Sequence, residues 1–185
     1  MKSTMPEVPR RLSETTARHL REGLRDLLLA STVVLFLIIF LVQPVRVEGT
    51  SMQPQLDDQE RVFVSKITYS VFDIQRGDVV VFYFPGDPKK SFIKRVVALP
   101  GEMVQIVDGR MMVNGRILPE PYVPSAYFDN SSFGPLYVAA DSYFVLGDHR
   151  NVSNDSRHWG CVPRGSIFGK AILKYWPPDD IGLIR

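Results

Sequence analysis

The hydrophobic and polar positions of the 185-residue chain follow two patterns in turn, a long apolar run and then an alternation with a period of two residues. The stretch "LLLASTVVLFLIIFLV" (27–42) has 16 residues and no charge, which is typical of an apolar helix. Beyond Pro44, short segments of strand-forming residues alternate between two faces and are separated by turn residues. The pattern therefore predicts one apolar helix followed by an all-β region over 44–185.

The length of the apolar helix lies between two kinds of segment. A membrane span needs about 17 to 25 apolar residues, whereas the hydrophobic region of a cleavable secretion signal has about 7 to 15. The following residues, "QPVRVEGTS", do not offer small residues at the spacing of a cleavage site. An uncleaved transmembrane anchor over 27–43 is therefore favoured. The alternative, a buried core helix, would need an apolar cover that residues 1–26 lack.

Seven segments of the all-β region have the composition of strands, and they are 61–67, 78–84, 91–99, 102–107, 110–113, 142–147 and 166–176. The pairs Asp108-Gly109 and Asn114-Gly115 suit the positive φ of two-residue hairpin turns, so a small meander is expected over 102–118. Prolines and polar turn residues dominate 119–140, which predicts an irregular excursion. A small inserted subdomain is accordingly expected over 100–140.

Charge is distributed unevenly along the chain. Residues 1–26 carry six Lys or Arg against four acids, and residues 43–185 carry 16 of each. The positive-inside rule then predicts a cytoplasmic basic tail (1–26) and an exported β region. A net charge of +2 gives no reason to expect nucleic acid as a partner. Because the chain has a single cysteine and three scattered histidines, we expect no internal disulfide, no metal site and no cofactor.

Lys94 is the first candidate for chemistry. On an alternating strand it shares a face with Phe92 and Val96, where desolvation would lower its pKa and make the neutral amine a general base. The alternative is a lysine kept outward on an edge strand. Arg95, on the opposite face, suits that outward position better.

Ser51 is the second candidate, in "GTSMQPQL". Its hydroxyl could act as a nucleophile and its amide as a donor to an oxyanion, while Gly49 would allow a substrate backbone to approach. A serine in a loop is more commonly a turn residue.

The polar segment "GDHRNVSNDSRHWG" (147–160) is the third candidate. Its side chains can satisfy one another and hold a neighbouring site rigid. A Ser-His-Asp triad of Ser51, His149 and Asp148 is disfavoured, because adjacent residues of an extended chain point apart.

Four segments in this order resemble the sequence boxes of the type I (leader) signal peptidases of bacteria and plastids. They are "SMQPQL", "RGDVVVF", "FIKRVVALPGE" and "GDHRNVSNDSRHWG", behind an N-terminal anchor. The resemblance implies a mostly β fold, with one transmembrane helix and an extracytoplasmic catalytic domain of coiled antiparallel sheets. It also implies a membrane-bound serine endopeptidase that removes signal peptides after small residues at −1 and −3.

The same resemblance implies roles for individual residues. Ser51 corresponds to the nucleophile and Lys94 to the general base of a Ser-Lys dyad. Ser153 corresponds to a serine that orients the lysine, and Asp155 with Arg157 to a supporting ion pair. With Gly49 two residues before the nucleophile, the amide of Ser51 is expected to donate to the oxyanion.

Three positions depart from the family's boxes: Gln55 replaces the usual Thr, His149 the usual Asn, and Val152 a residue that is often polar. These three replacements affect the expected hydrogen bonding around the nucleophile and in the 147–160 segment, and they leave the residues of the expected dyad in place. Met52, Phe92 and Tyr143 are expected to line the substrate pockets, from adjacency alone.

The expected partners are exported preproteins and the lipid bilayer, with the protein translocation machinery close by. The expected location is the bacterial plasma membrane, with a thylakoid membrane as the alternative. Two other functions stay open: a Ser-Lys peptidase with a narrow substrate, such as a pilus or conjugation processing enzyme, and an anchored, non-enzymatic β domain that binds exported chains. A self-cleaving repressor is disfavoured by the apolar run.

Overall fold

The computed structural model of the chain describes residues 11–185, with the side chains of 16–36 and 40–185. The chain divides into two compact units, one ending at Phe40 and the other over 41–185. Helix α1 (Arg11–Leu41) supplies the described residues of the first unit, and only its last residue, Leu41, is counted in the second. Its apolar side chains are largely exposed, as at Leu27, Phe36 and Phe40. No helix among the described residues combines the length and the apolarity needed to cross a bilayer.

The limits of α1 differ from the predicted ones. The helix begins at Arg11, well before the apolar run, and ends at Leu41. Val42 and Gln43, which the sequence pattern placed in the anchor, belong to the first strand, where they pair with Ser65 and Val64. A change to extended backbone is expected here because Pro44 disfavours a helical conformation at the residue before it.

The second unit is built almost entirely from antiparallel strands, as predicted. They are β1 (Val42–Arg46), β2 (Arg61–Ser65), β3 (Val79–Phe84), β4 (Asp87–Ala98), β5 (Met103–Val107), β6 (Arg110–Val113), β7 (Arg116–Ile117), β8 (Phe133–Tyr137), β9 (Ser142–Leu146), β10 (Val162–Pro163), β11 (Ile167–Trp176) and β12 (Gly182–Leu183). Two short helices, α2 (Thr68–Val71) and α3 (Ser156–Trp159), lie between strands. Each of the seven predicted strands is present.

The strands form two sheets. The larger has the order β1-β2-β11-β3-β4-β9-β10, with β12 paired to β11, and the smaller has the order β7-β6-β5-β8. The meander β5-β6-β7 turns at Asp108-Gly109 and Asn114-Gly115, and all four residues have positive φ as predicted.

The smaller sheet shares a hydrophobic core with the larger one. Val97 and Phe144 of the larger sheet pack with Val104, Ile106 and Met111 of the smaller, and all five are buried. The smaller sheet is thereby packed directly against β4, the strand that contains Lys94.

Candidate active site

The loop between β1 and β2 carries Ser51. Met52 and Leu56 are fully buried in the core beneath it, and the Leu56 amide donates to the Met52 carbonyl at 2.9 Å. Gly49 has a φ of +88° and its amide donates to the Asp58 carboxylate at 2.7 Å. These contacts hold the turn from both sides of Ser51. Gly49 is needed here for its left-handed backbone.

Lys94 comes from the middle of β4 and reaches Ser51. Its Nζ donates to Ser51 Oγ at 2.6 Å and to the Ile93 carbonyl at 3.1 Å. Only 4% of the residue is exposed, and this burial lowers the pKa of Lys94 to about 8, although the charges of Asp155 and Asp148 act in the opposite direction. The outward alternative for Lys94 is therefore wrong. A buried amine with such a pKa can accept a proton from a hydroxyl near neutral pH.

The outward interpretation of Arg95 is also wrong. Arg95 is 1% exposed, and its Nε and Nη2 donate to the two carboxylate oxygens of Asp148 at 2.8 and 2.6 Å. Its Nη1 donates to the carbonyls of Gly77 and Arg185. The physical reason is that distant parts of the chain cover this face of β4: the centroid of the Tyr122 ring lies 4.2 Å from the Arg95 guanidinium, and Asp148 and the Arg185 carbonyl accept its hydrogen bonds. Asp148 is thus committed to Arg95 and does not orient His149, in agreement with the disfavoured triad.

Ser153 lies in the loop after β9, and its Oγ and the Ser51 carbonyl oxygen both lie against Gly147. Its Oγ is buried and has no hydrogen-bond partner among the described residues. It sits against Gly147, where a Cβ would come within 2.3 Å of it. The hydrogen bond from Ser153 to Lys94 that the resemblance implies is not formed. The second contact of the Lys94 amine is instead the carbonyl of Ile93.

Asp155 and Arg157 form a two-point ion pair below this loop. Arg157 Nε and Nη2 donate to the two oxygens of Asp155 at 2.8 and 2.9 Å. Asp155 also accepts from the Gly147 amide at 3.1 Å, and it caps α3 through the Arg157 amide. Because Asp155 is fully buried, the pair ties the start of the loop to its end.

The irregular segment after β7 braces the same loop, which the sequence did not predict. Arg150 donates to Glu120 at 2.8 Å, and Arg157 Nη1 donates to Asp129 at 2.8 Å. Tyr127 packs edge-on against His149, with ring centroids 4.2 Å apart. The turn-rich segment 119–140 contains two isolated acidic residues, Glu120 and Asp129. Nothing in the sequence indicates that they pair with Arg150 and Arg157.

A cleft of about 440 Å³ opens beside Ser51 and Lys94, between the β1 region and β4. Its apolar lining comes from Val45, Val47, Val81, Phe92, Ile93 and Val152. Of the three residues predicted from adjacency, Phe92 lines the cleft, whereas Met52 and Tyr143 do not. Met52 is buried beneath the nucleophile loop, and Tyr143 packs in a separate core cluster. Of the departures, Val152 lines the cleft and Gln55 does not.

Comparisons with known proteins agree with the resemblance. A family model described as "Signal peptidase, peptidase S26" matches residues 20–176. The chain is 37% identical over 187 residues to signal peptidase I of Leptolyngbya laminosa, covering 97% of this chain and 91% of that protein. It is 40% identical over 153 residues to probable signal peptidase I-2 of Synechocystis sp., covering 78% and 68%. It is 35% identical over 167 residues to thylakoidal processing peptidase 1 of Arabidopsis thaliana, covering 82% and 48%.

Proposed function

The chain belongs to the signal peptidase family of serine peptidases, peptidase S26, and we propose that it removes signal peptides from exported preproteins with Ser51 and Lys94 as a catalytic dyad. The observation that carries the proposal is the 2.6 Å contact between Lys94 Nζ and Ser51 Oγ. A lysine amine with a pKa of about 8 is a suitable base for that hydroxyl.

The proposed reaction is acyl transfer in two steps. Neutral Lys94 takes the Ser51 proton as Oγ attacks the scissile carbonyl, and the resulting ammonium returns a proton to the leaving amine of the mature chain. The signal peptide is left as an ester on Ser51. Lys94 then deprotonates a water molecule that attacks the ester, and its proton passes to Ser51 Oγ as the signal peptide leaves.

The tetrahedral intermediate of each step carries a negative oxygen that needs a donor. We assign that role to the backbone amide of Ser51, which lines the cleft with the dyad. Position 49 is glycine and offers no hydroxyl, and Ser153 Oγ is buried behind Gly147. The amide is therefore the donor in this proposal.

The substrate is proposed to lie extended in the cleft. β1 is an edge strand of the larger sheet and pairs with β2, so its other edge can hydrogen-bond an added peptide strand. The branched side chains of Val45, Val81 and Ile93 narrow the cleft and leave it apolar. The free edge supports an extended substrate, and the branched lining supports a preference for small residues at −1 and −3.

The apolar part of α1 is proposed to anchor the enzyme in the membrane, at about residues 27–41. Support comes from the exposed apolar side chains of the helix and from the basic excess before them. Tethering enzyme and preprotein to one bilayer, close to the translocation machinery, raises their effective concentration. The cyanobacterial and thylakoidal relatives are compatible with a bacterial plasma membrane and with a thylakoid membrane.

The test is cleavage of a preprotein with an Ala-x-Ala site by the full chain in detergent. We expect the parent to cut after the second Ala, and Ser51→Ala and Lys94→Ala to lose activity while remaining folded. Lys90→Ala is the matched control, since Lys90 lies on the same strand with its side chain 67% exposed. An inert parent, or a Lys94→Ala variant with normal activity, would refute the proposal.

A further inference from the structure

His149 makes two contacts to the nucleophile loop that the dyad does not require. Its ring Nδ1 lies 3.1 Å from the carbonyl oxygen of Thr50, and its backbone amide donates to the carbonyl of Ser51 at 3.1 Å. Because a carbonyl oxygen can only accept, Nδ1 carries the hydrogen in the first contact. A histidine side chain therefore holds the peptide unit that precedes the nucleophile.

That peptide unit contains the proposed oxyanion donor. The Thr50–Ser51 bond is trans, so the Thr50 carbonyl and the Ser51 amide N–H lie in one plane and point in opposite directions. The Thr50 oxygen also accepts from the Gln53 amide at 3.1 Å. Within residues 41–185, the Ser51 amide donates to no protein acceptor. Fixing the carbonyl at one end of the plane thus fixes the direction of a free N–H at the other.

We propose that His149 is a positioning residue, which orients the Ser51 amide toward the oxyanion by holding the Thr50 carbonyl. The inference rests on the proposed function, because it needs Ser51 to be the nucleophile. It assigns a specific role to a residue at which this chain departs from its family's sequence box.

The surroundings of His149 keep its ring in place. The ring packs edge-on against Tyr127 at 4.2 Å. Its two neighbours in sequence are buried and paired, Asp148 with Arg95 and Arg150 with Glu120. The donor is therefore preorganised before any substrate binds, which is the condition under which an oriented amide contributes to catalysis.

Two substitutions of His149, by asparagine and by leucine, can separate the effect of its hydrogen bond from the effect of its shape. Nδ1 of histidine and Nδ2 of asparagine are both bonded to Cγ, so the two side chains can present a donor at the same distance from the backbone. Leucine has nearly the shape of asparagine and has no donor. His149→Asn and His149→Leu therefore differ chiefly in the hydrogen bond to Thr50.

Both variants are compared with the parent and with Ser51→Ala in steady-state preprotein cleavage, with thermal unfolding measured in parallel. Removing a whole oxyanion donor lowers kcat by about 10² to 10³, so we expect loss of its orientation in His149→Leu to lower kcat by roughly tenfold with KM little changed. His149→Asn should stay within about threefold of the parent. A peptide aldehyde, whose adduct with Ser51 carries the oxyanion, should bind His149→Leu more weakly by a similar factor.

Three outcomes would overturn the inference while leaving the dyad intact. They are a His149→Leu variant with parental kcat, equal impairment of the Asn and Leu variants, and a loss that appears only in KM or in unfolding temperature. A parent that does not cleave the preprotein would overturn the proposed function, and the inference with it.

Discussion

Gly147 lies so close to Ser51 that a Cβ at position 147 would come within 2.4 Å of the Ser51 carbonyl oxygen. The same Cβ would come within 2.3 Å of Ser153 Oγ. This glycine is required for space, since its φ is outside the left-handed region. The nucleophile loop and the loop after β9 therefore pack backbone to backbone.

We expect Gly147→Ala to push these two loops apart. Overpacking of this kind costs about 1 to 3 kcal/mol, and a displacement of about 1 Å at a catalytic group can lower the rate roughly a hundredfold. Gly165→Ala is the matched control, because a Cβ there has no neighbour within 4 Å. The measurements are preprotein cleavage and thermal unfolding, and an alanine variant that matches the parent in both would contradict the packing argument.

The pKa of Lys94 predicts the acid side of the pH profile. With a pKa of about 8, the amine is protonated at lower pH and cannot accept the Ser51 proton. We expect kcat/KM to fall about tenfold per pH unit well below that value. The profile of an uncharged peptide substrate is the appropriate measurement. A rate that stays constant from pH 9 to pH 6 would exclude Lys94 as the base.

Replacing Lys94 by methionine should stabilise the folded chain while abolishing activity. The folded-state pKa of Lys94 is about 8, below the ordinary lysine pKa of 10.5, so between these two values the unfolded chain binds a proton that the folded chain has lost. The free energy of unfolding of the parent then rises with pH from about 8 to 10.5.

Below that window the buried charge is unfavourable, by up to about 3 kcal/mol. Lys94→Met should therefore be more stable than the parent at pH 7, and the difference should shrink toward pH 10.5. Urea unfolding at the two pH values measures this. A variant that is less stable at pH 7 would show that the contact with Ser51 outweighs the burial of the charge.

The buried pair of Glu120 and Arg150 should show strong non-additivity. Both side chains are 4% exposed, and removing one partner of a buried pair costs about 3 to 5 kcal/mol because the other charge is left uncompensated. We expect Glu120→Leu to lose stability in that range, and Glu120→Leu/Arg150→Met to recover much of it.

The exposed pair of Asp87 and Lys90 is the control for this comparison. Asp87→Leu should change the free energy of unfolding by less than about 1 kcal/mol. If Glu120→Leu behaves in the same way, the segment after β7 does not brace the loop that carries Ser153.

Local patterns were sufficient to single out Ser51 and Lys94, whose side chains are in contact in the structure, and to predict most strands. Lys94 was identified because alternation on a strand placed it among apolar side chains, and Ser51 because its box precedes the lysine box in a recognised order. Strands β1 and β8 were not predicted, because each contains a proline (Pro44 and Pro135). A proline within a segment argues against assigning it as a strand from local pattern alone.

The burial of Arg95 could not be predicted from its own strand. It depends on the Tyr122 ring, which lies over the guanidinium, and on Asp148, which is 53 residues away in the sequence. The same limit applies to Ser153, whose buried hydroxyl makes no hydrogen bond to Lys94. Contacts made by distant parts of the chain decide which face of a strand is buried, and alternation alone carries no information about them.

The contact between Arg95 and the Arg185 carbonyl also has a meaning in the order of synthesis. Ser51 is made first, Lys94 follows 43 residues later, and the carbonyl that Arg95 binds lies 90 residues further on. During synthesis, Ser51 and Lys94 are therefore both present well before the acceptor that Arg95 binds at residue 185. Arg95 acquires its hydrogen bond to the Arg185 carbonyl only once the segment that contains β12 (182–183) has docked against β11.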